Sequence, residues 1–200
     1  MDPTILDDVH DYWFGDLKAW DEEADAKRRQ EWFHPSEATD AHIRDRWGHH
    51  IAAARETAWD LPALSRRQQV ALVLVLDQFP RQIYRNSGEA FACDAAAYAI
   101  SRQLVASGWR RFLVAEQTFV MLPFEHSENP ADQDLSVKLY AERALEAPPN
   151  HLESCREQLD YATRHRDIIR KFGRFPHRNV VLGRESTPGE IEFLKSGRGF

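Results

Sequence analysis

The residues of this chain best suited to chemistry fall in three short clusters, each beside a Phe or Pro at the predicted end of an apolar helix. They are Leu76-Asp77-Gln78-Phe79-Pro80-Arg81, then Pro123-Phe124-Glu125-His126-Ser127-Glu128-Asn129, then Phe172-Gly173-Arg174-Phe175-Pro176-His177-Arg178-Asn179, with Arg184 shortly after. Helix ends leave backbone groups unsatisfied and carry side chains that need not pack, so sites assemble there readily. A His beside carboxylates moves protons near neutral pH. His126, flanked by Glu125 and Glu128, and His177 are therefore the acid–base candidates, with Glu128 beside them. Arg presents paired N–H groups to carboxylate or phosphate, which makes Arg81, Arg174, Arg178 and Arg184 candidate anion ligands. Asp77, Gln78 and Asn179 complete the expected ligand-binding set.

Each cluster also has a plainer reading. Asp77 can form a buried ion pair with an Arg and fix helix packing, because a buried charge requires a partner. His126 can brace a helix end. The 174–179 segment can be a rigid loop whose Arg and Asn bond backbone carbonyls. Ser127 and His126 are adjacent, a poor arrangement for a nucleophile–base hydrogen bond, so no Ser-His-acid triad is expected here. No metal is expected either. There is no H-E-x-x-H, no recognisable Cys spacing, and no repeated Glu-x-x-His. His49 and His50 would point ~100° apart on a helix. With no G-x-G-x-x-G, phosphate-binding loop or G-x-S-x-G, no cofactor is expected.

The elements that must position these clusters read as helices throughout. Asp2-Pro3 starts the first, with Ile5, Leu6, Val9, Tyr12 and Trp13 at helical spacing and Gly15 at its end. A polar helix is predicted over 21–33, and a long one from a Ser36 cap to about Ala58. Ser65-Arg66-Arg67-Gln68 is a capping box. The aliphatic run Val70–Leu76 that follows is β-branched enough for a strand, but the cap and a length of about 14 residues favour a buried helix ending at Pro80. Further helices are predicted from Ser87-Gly88 to about Ala106 and from Trp109 to Leu122, broken by Pro123. Others run from an Asn129-Pro130 cap to about Glu146, from an Asn150/Glu153 capping box to Phe172 with Gly173 at its end, and from Thr187-Pro188 onward. That makes eight or nine helices and no strand. The connections are mostly short, so neighbours are expected to pack as antiparallel hairpins. No linker divides the chain, so residues 1–200 are read as one all-α domain.

Composition excludes several classes. The chain has 200 residues and a net charge of −6. A seven-residue aliphatic run falls far short of the roughly 20 apolar residues of a membrane span, and the acidic start lacks the pattern of a secretory signal. Cys93 and Cys155 stand apart, which suits two buried thiols in a reducing cytoplasm rather than a disulfide framework. Charge is uneven: residues 161–200 hold nine Lys and Arg against four Asp and Glu, whereas residues 1–60 hold seven against 15. The basic excess surrounds the third cluster. An acidic chain without an interleaved aromatic–basic motif is not expected to bind nucleic acid.

Taken together with Trp32-Phe33 and Gly183-Arg184-Glu185-Ser186-Thr187-Pro188-Gly189-Glu190, the three clusters occur in an order that resembles the bacterial family catalogued as domain of unknown function 924. The resemblance covers nearly the whole chain. It implies an all-α fold similar to tetratricopeptide-like helical-hairpin arrays, and no established activity. The expected function is therefore that of a cytoplasmic helical protein with a polar Arg/His pocket for a small anionic ligand. Two alternatives stand beside it: a tetratricopeptide-like adaptor that docks a protein partner, and an enzyme using His126 or His177 as acid or base.

Overall fold

The computed structural model describes residues 1–16, 22–34 and 36–196; residue 21 of the predicted 21–33 helix lies outside them. In chain order the helices are α1 (Thr4–Phe14), α2 (Glu22–Phe33), α3 (Glu37–Trp47), α4 (Ile51–Glu56), α5 (Arg66–Val73), α6 (Phe79–Ile83), α7 (Asp94–Ala106), α8 (Val114–Glu125), α9 (Pro130–Glu146), α10 (Leu152–Phe172) and α11 (Pro188–Lys195). Among the described residues there is no strand. No helix there is long and apolar enough to cross a membrane.

Caps written in the sequence start several of these helices. The Ser36 hydroxyl accepts the Thr39 N–H at α3, and the Asn129 side chain accepts the Ala131 N–H at α9. Ser65 with Gln68, and Thr187 with Glu190, form reciprocal boxes at α5 and α11. Each cap satisfies a donor that the first helical turn leaves orphaned. The expected Asn150/Glu153 box does not form. Pro148-Pro149 favours a 3-10 turn over Pro149–His151, in which the Pro148 carbonyl accepts the His151 N–H. The turn moves the start of α10 to Leu152, and Glu153 then sits one position too early to reach back. A 3-10 turn over Gly88–Phe91 likewise delays α7 until Asp94, and another over Trp109–Arg111 precedes α8.

Two prolines expected to end helices lie inside them. Pro123 is within α8, which continues to Glu125 and closes where the His126 N–H meets the Leu122 carbonyl. Pro80 is within a continuous helical path from Arg66 to Ile83 whose middle, Leu74–Gln78, is a π turn. There the Phe79 N–H reaches five residues back to the Leu74 carbonyl. A regular turn would press the proline ring against the Leu76 carbonyl; widening the turn removes that clash, and the chain stays helical.

This path is the axis of the fold. Val70 to Leu76 are all at most 1 % exposed, so the helix is apolar on every side and buried on every side. Around it α1, α3, α7 and α8 build the largest core, with Leu6, Phe14, Ile43, Trp47, Phe79 and Phe119 among its members. Each such side chain contributes about 1.5–3 kcal/mol by leaving water. A second core packs Met121, Phe124, Tyr140 and Ala162 between α8, α9 and α10, and a third joins Ile168 and Ile169 to Phe175. The most extensive helix pairing is α9 with α10 across the short Pro-rich turn, so these two run antiparallel. The Tyr140 hydroxyl donates to the Thr118 carbonyl and ties α9 to α8.

Candidate functional site

The π turn sets the first polar residues of the site. Asp77 and Gln78 belong to it, and Arg81 follows one turn later. Asp77 is 1 % exposed, yet its carboxylate is fully engaged. Oδ1 accepts from His126 Nδ1 at 2.7 Å and faces Arg81 Nη1 at 3.3 Å, while Oδ2 accepts from Gln78 Nε2 at 2.6 Å. Arg81 Nη1 also donates to the Asp77 carbonyl at 2.7 Å, and both Nη atoms pair with Asp94 at 2.8 and 3.0 Å. His126 sits at the end of α8, just beyond Pro123, so one helix interrupted by proline presents the carboxylate and another presents the imidazole.

Gln78, Arg81 and His126 form part of the floor of a cavity of about 610 Å³, within the range of small-molecule sites. Gln78, Arg81, Glu125, His126 and His165 supply polar groups. Trp32 and Phe33 from α2, Leu122 from α8, Tyr140 from α9 and Tyr161 from α10 supply an apolar wall. Arg29 and Arg85 also line it. Arg85 pairs with Asp40, its Nη2 donating to Oδ1 at 2.9 Å, and Arg29 pairs with Glu157. Gln82, on the same wall, is 6 % exposed, and its carbonyl oxygen is buried without a protein partner.

Burial and neighbouring charge set the protonation states here. Burial alone would raise the Asp77 carboxyl, but Arg81, His126 and two hydrogen bonds hold it below the usual carboxylate range. Burial, then the Arg81 charge, pushes His126 down from 6.5. Burial also pushes His165 well below 6.5. Glu125 goes the other way: burial and the Asp77 charge raise it to about 8, so it keeps its proton at neutral pH. With Asp77 ionised and His126 neutral, the imidazole proton lies on Nδ1, facing Asp77. His126 Nε2 is not a buried orphan and has no hydrogen bond within the protein among the described residues. Glu125 Oε1 lies 3.0 Å from His165 Nδ1, which also donates to the Tyr161 carbonyl at 2.9 Å.

Of the residues expected from the sequence, Gln78, Arg81 and His126 line the cavity, and Asp77 lies directly behind them. Glu128, Arg174, His177, Arg178, Asn179 and Arg184 do not line it. They form a second polar layer behind the floor, joined to it through Asp94, which Arg178 meets at 3.4 Å. The Arg178 guanidinium also lies over the rings of Phe91 and Phe175, at 4.5 and 4.6 Å. Burial lowers its pKa to about 10, which leaves it charged at neutral pH. Arg184 pairs bidentately with Glu128, which also accepts the Phe175 N–H at 2.8 Å. Arg174 clamps Glu190 of α11, and the Asn179 amide donates to the Ser186 hydroxyl. The His177 ring lies tilted against Phe175 with centroids 5.6 Å apart, and burial with the Arg178 charge takes its pKa to about 4.

Trp32-Phe33 entered the sequence reading only through the family resemblance, and Glu125 only as a neighbour of His126; Tyr140, Tyr161, Gln82, Arg85 and His165 were not singled out. His165 carried one signal: it lies between Ala162 and Ile168–Ile169 on the buried stripe of α10. Among the described residues no group of three or more His, Cys, Asp or Glu side chains is arranged to hold a metal ion.

Among curated proteins none matches the chain. A solved structure of a protein of unknown function from Agrobacterium tumefaciens superposes with a TM-score of 0.78 at 29 % sequence identity, over 96 % of this chain and 98 % of that one. The family model for bacterial proteins of unknown function designated DUF924 matches residues 9–198, and the chain belongs to that family.

Proposed function

We propose that the chain binds a small organic anion with an apolar body in the 610 Å³ cavity. The observation that carries this reading is the union of an Arg/His floor and an aromatic wall in one concavity. Arg81 uses three of its N–H groups on protein partners, and a guanidinium has five. Arg85 uses two on Asp40 and keeps the rest for a ligand. The nearby acids balance these cations one for one, with Asp77 and Asp94 against Arg81 and Arg178 and Asp40 against Arg85, while Glu125 holds its proton; what the floor offers an anion is therefore the unused guanidinium N–H groups rather than a net positive field. The wall then covers the apolar body. The adaptor alternative has less support, because the apolar surface of this concavity runs directly into the charged floor.

Isothermal titration of the protein with phosphate and with small aliphatic and aromatic carboxylates tests the reading. Carboxylates with an apolar body are expected to bind more tightly than phosphate. Arg85→Gln is expected to weaken them ~10–100-fold, the equivalent of one charge-assisted contact of about 1.5–3 kcal/mol. Absence of binding by every one of these anions would overturn it.

A further inference from the structure

Among the described residues, the cavity lining has a base and an acid but neither a cysteine nor a serine. His126 has its Nδ1–H bound to Asp77 at 2.7 Å, which leaves the Nε2 lone pair as its only reactive position. Asp77 cannot turn away, because Gln78 and Arg81 hold its carboxylate. The Glu125 carboxyl lines the same cavity, 4 % exposed, and carries a proton at neutral pH. Two neighbouring groups whose environments move them in opposite directions mark out a base and an acid. The hydroxyl groups nearby are occupied: Thr118 donates to Gln158 at 3.0 Å and Ser127 to Asp132 at 2.7 Å. Cys93 and Cys155 do not line the cavity. A base and an acid without a nucleophile suit proton transfer at carbon rather than covalent catalysis. The π turn that carries Asp77 is a second, independent sign, because such turns occur frequently at functional sites.

We infer that this cavity is an acid–base active site for a small oxo acid, in which His126, held by Asp77, removes a proton from the carbon beside the carbonyl while Glu125 protonates the carbonyl oxygen. The inference rests on the reading of the cavity as an anion site. The ligand's carboxylate lies toward Arg81 and Arg85, and its apolar part against the aromatic wall. In the forward step the Nε2 lone pair takes the proton. The C–H bonding pair becomes the C=C bond of an enol. The carbonyl π pair moves onto oxygen, which takes the Glu125 proton. The imidazolium so formed faces the Asp77 carboxylate, and Glu125 is left as a carboxylate. The reverse step returns both protons, so no oxidant, reductant or co-reactant is consumed. Asp77 acts through His126 and is a positioning residue. The charged and titratable groups around the imidazole are Asp77, Arg81, Asp94, His165 and His177, with Glu125 adjacent in the chain.

Exchange in D2O tests this. The full chain is mixed with 2-oxobutyrate, 2-oxoglutarate or phenylpyruvate. Binding is measured by titration calorimetry, and deuterium uptake at the carbon beside the carbonyl by proton NMR. At least one bound acid is expected to exchange on the order of 100-fold faster than it does free. His126→Asn keeps a side-chain donor for Asp77 and is expected to retain the fold and the binding while losing that acceleration. Glu125→Gln is expected to lose ~10-fold or more. Asp77→Asn is expected to slow exchange and move the acid limb of its pH profile lower, which a purely structural residue would not do. Binding without faster exchange, or exchange that His126→Asn leaves unchanged, overturns the acid–base reading and leaves the anion site standing. Failure of all three acids to bind overturns the acid–base reading at its foundation, along with the binding of such acids.

Discussion

Arg178 shows how a single residue of this chain can look like a ligand contact in sequence and stand elsewhere in space. It is 6 % exposed, shares Asp94 with Arg81, and lies against two aromatic rings. Removing it leaves Asp94 paired with Arg81 but takes away a second cation and the guanidinium packed on both rings. Arg178→Ala is therefore expected to cost about 1.5–3 kcal/mol, read as a lower midpoint in urea unfolding, with no direct loss of a cavity contact. Arg85 is the contrasting case. It lines the cavity from a more open position and answers to the same chemistry from the other side of the floor. The sequence marked Arg178 by its place in a polar cluster and left Arg85 unmarked. What separated them was which buried acid each one meets, and that is decided by helices far apart along the chain.

At the scale of the element, the helix starts were the most legible feature, because Ser36, Ser65, Asn129 and Thr187 act through neighbours two or three residues away. The prolines were less so. Pro80 removes one bond of a regular helix, but dense packing around Val70–Leu76 favours a widened turn over an ended one. Local sequence shows the lost bond and not the packing. Replacing Pro80 restores the N–H and lifts the steric reason for the wide turn. Pro80→Ala is expected to let the segment tighten, rotate Asp77 and weaken its hydrogen bond to His126. The readout is the His126 imidazole in a nitrogen-15 NMR titration, where its pKa should move while the protein remains helical by circular dichroism. The floor of the cavity was visible as polar clusters because Gln78, Arg81 and His126 interrupt apolar helices. The wall was not, because Trp32, Tyr140 and Tyr161 are residue types that serve a core and a cavity lining equally well.

For the molecule as a whole, buried titratable groups oppose one another across the pH scale. His126 and His165 are held below 6.5 in the fold. The unfolded chain then binds more protons in acid, so their contribution is present above pH 6.5 and is lost as the pH falls below it. Glu125 is raised from 4.5 to about 8. The folded chain binds the extra proton, so this contribution is complete below 4.5 and is lost as the pH rises toward 8. Of these three groups, Glu125 is the one whose contribution changes between about pH 6.5 and 8. Thermal melts are expected to fall across that window, and Glu125→Gln, which cannot ionise, is expected to flatten the fall. A decline of equal slope in that variant would assign it to other groups.

Along the chain the cavity lining runs from Arg29 to His165, and the layer behind its floor is complete only with Arg184. For a chain made from its N-terminus, the aromatic face of α2 is therefore among the first parts synthesised and waits for most of its surroundings. Trp32 can pack on Trp13 and Phe14 of α1 from the start, but Phe119 of α8 and the far side of the cavity come later. Exposed apolar surface in unfinished chains is what chaperones bind and what aggregation begins from. The same Trp32 and Phe33 that shape the finished cavity thus set the interval in which a nascent chain is most vulnerable, and that interval lasts until α10 has left the ribosome.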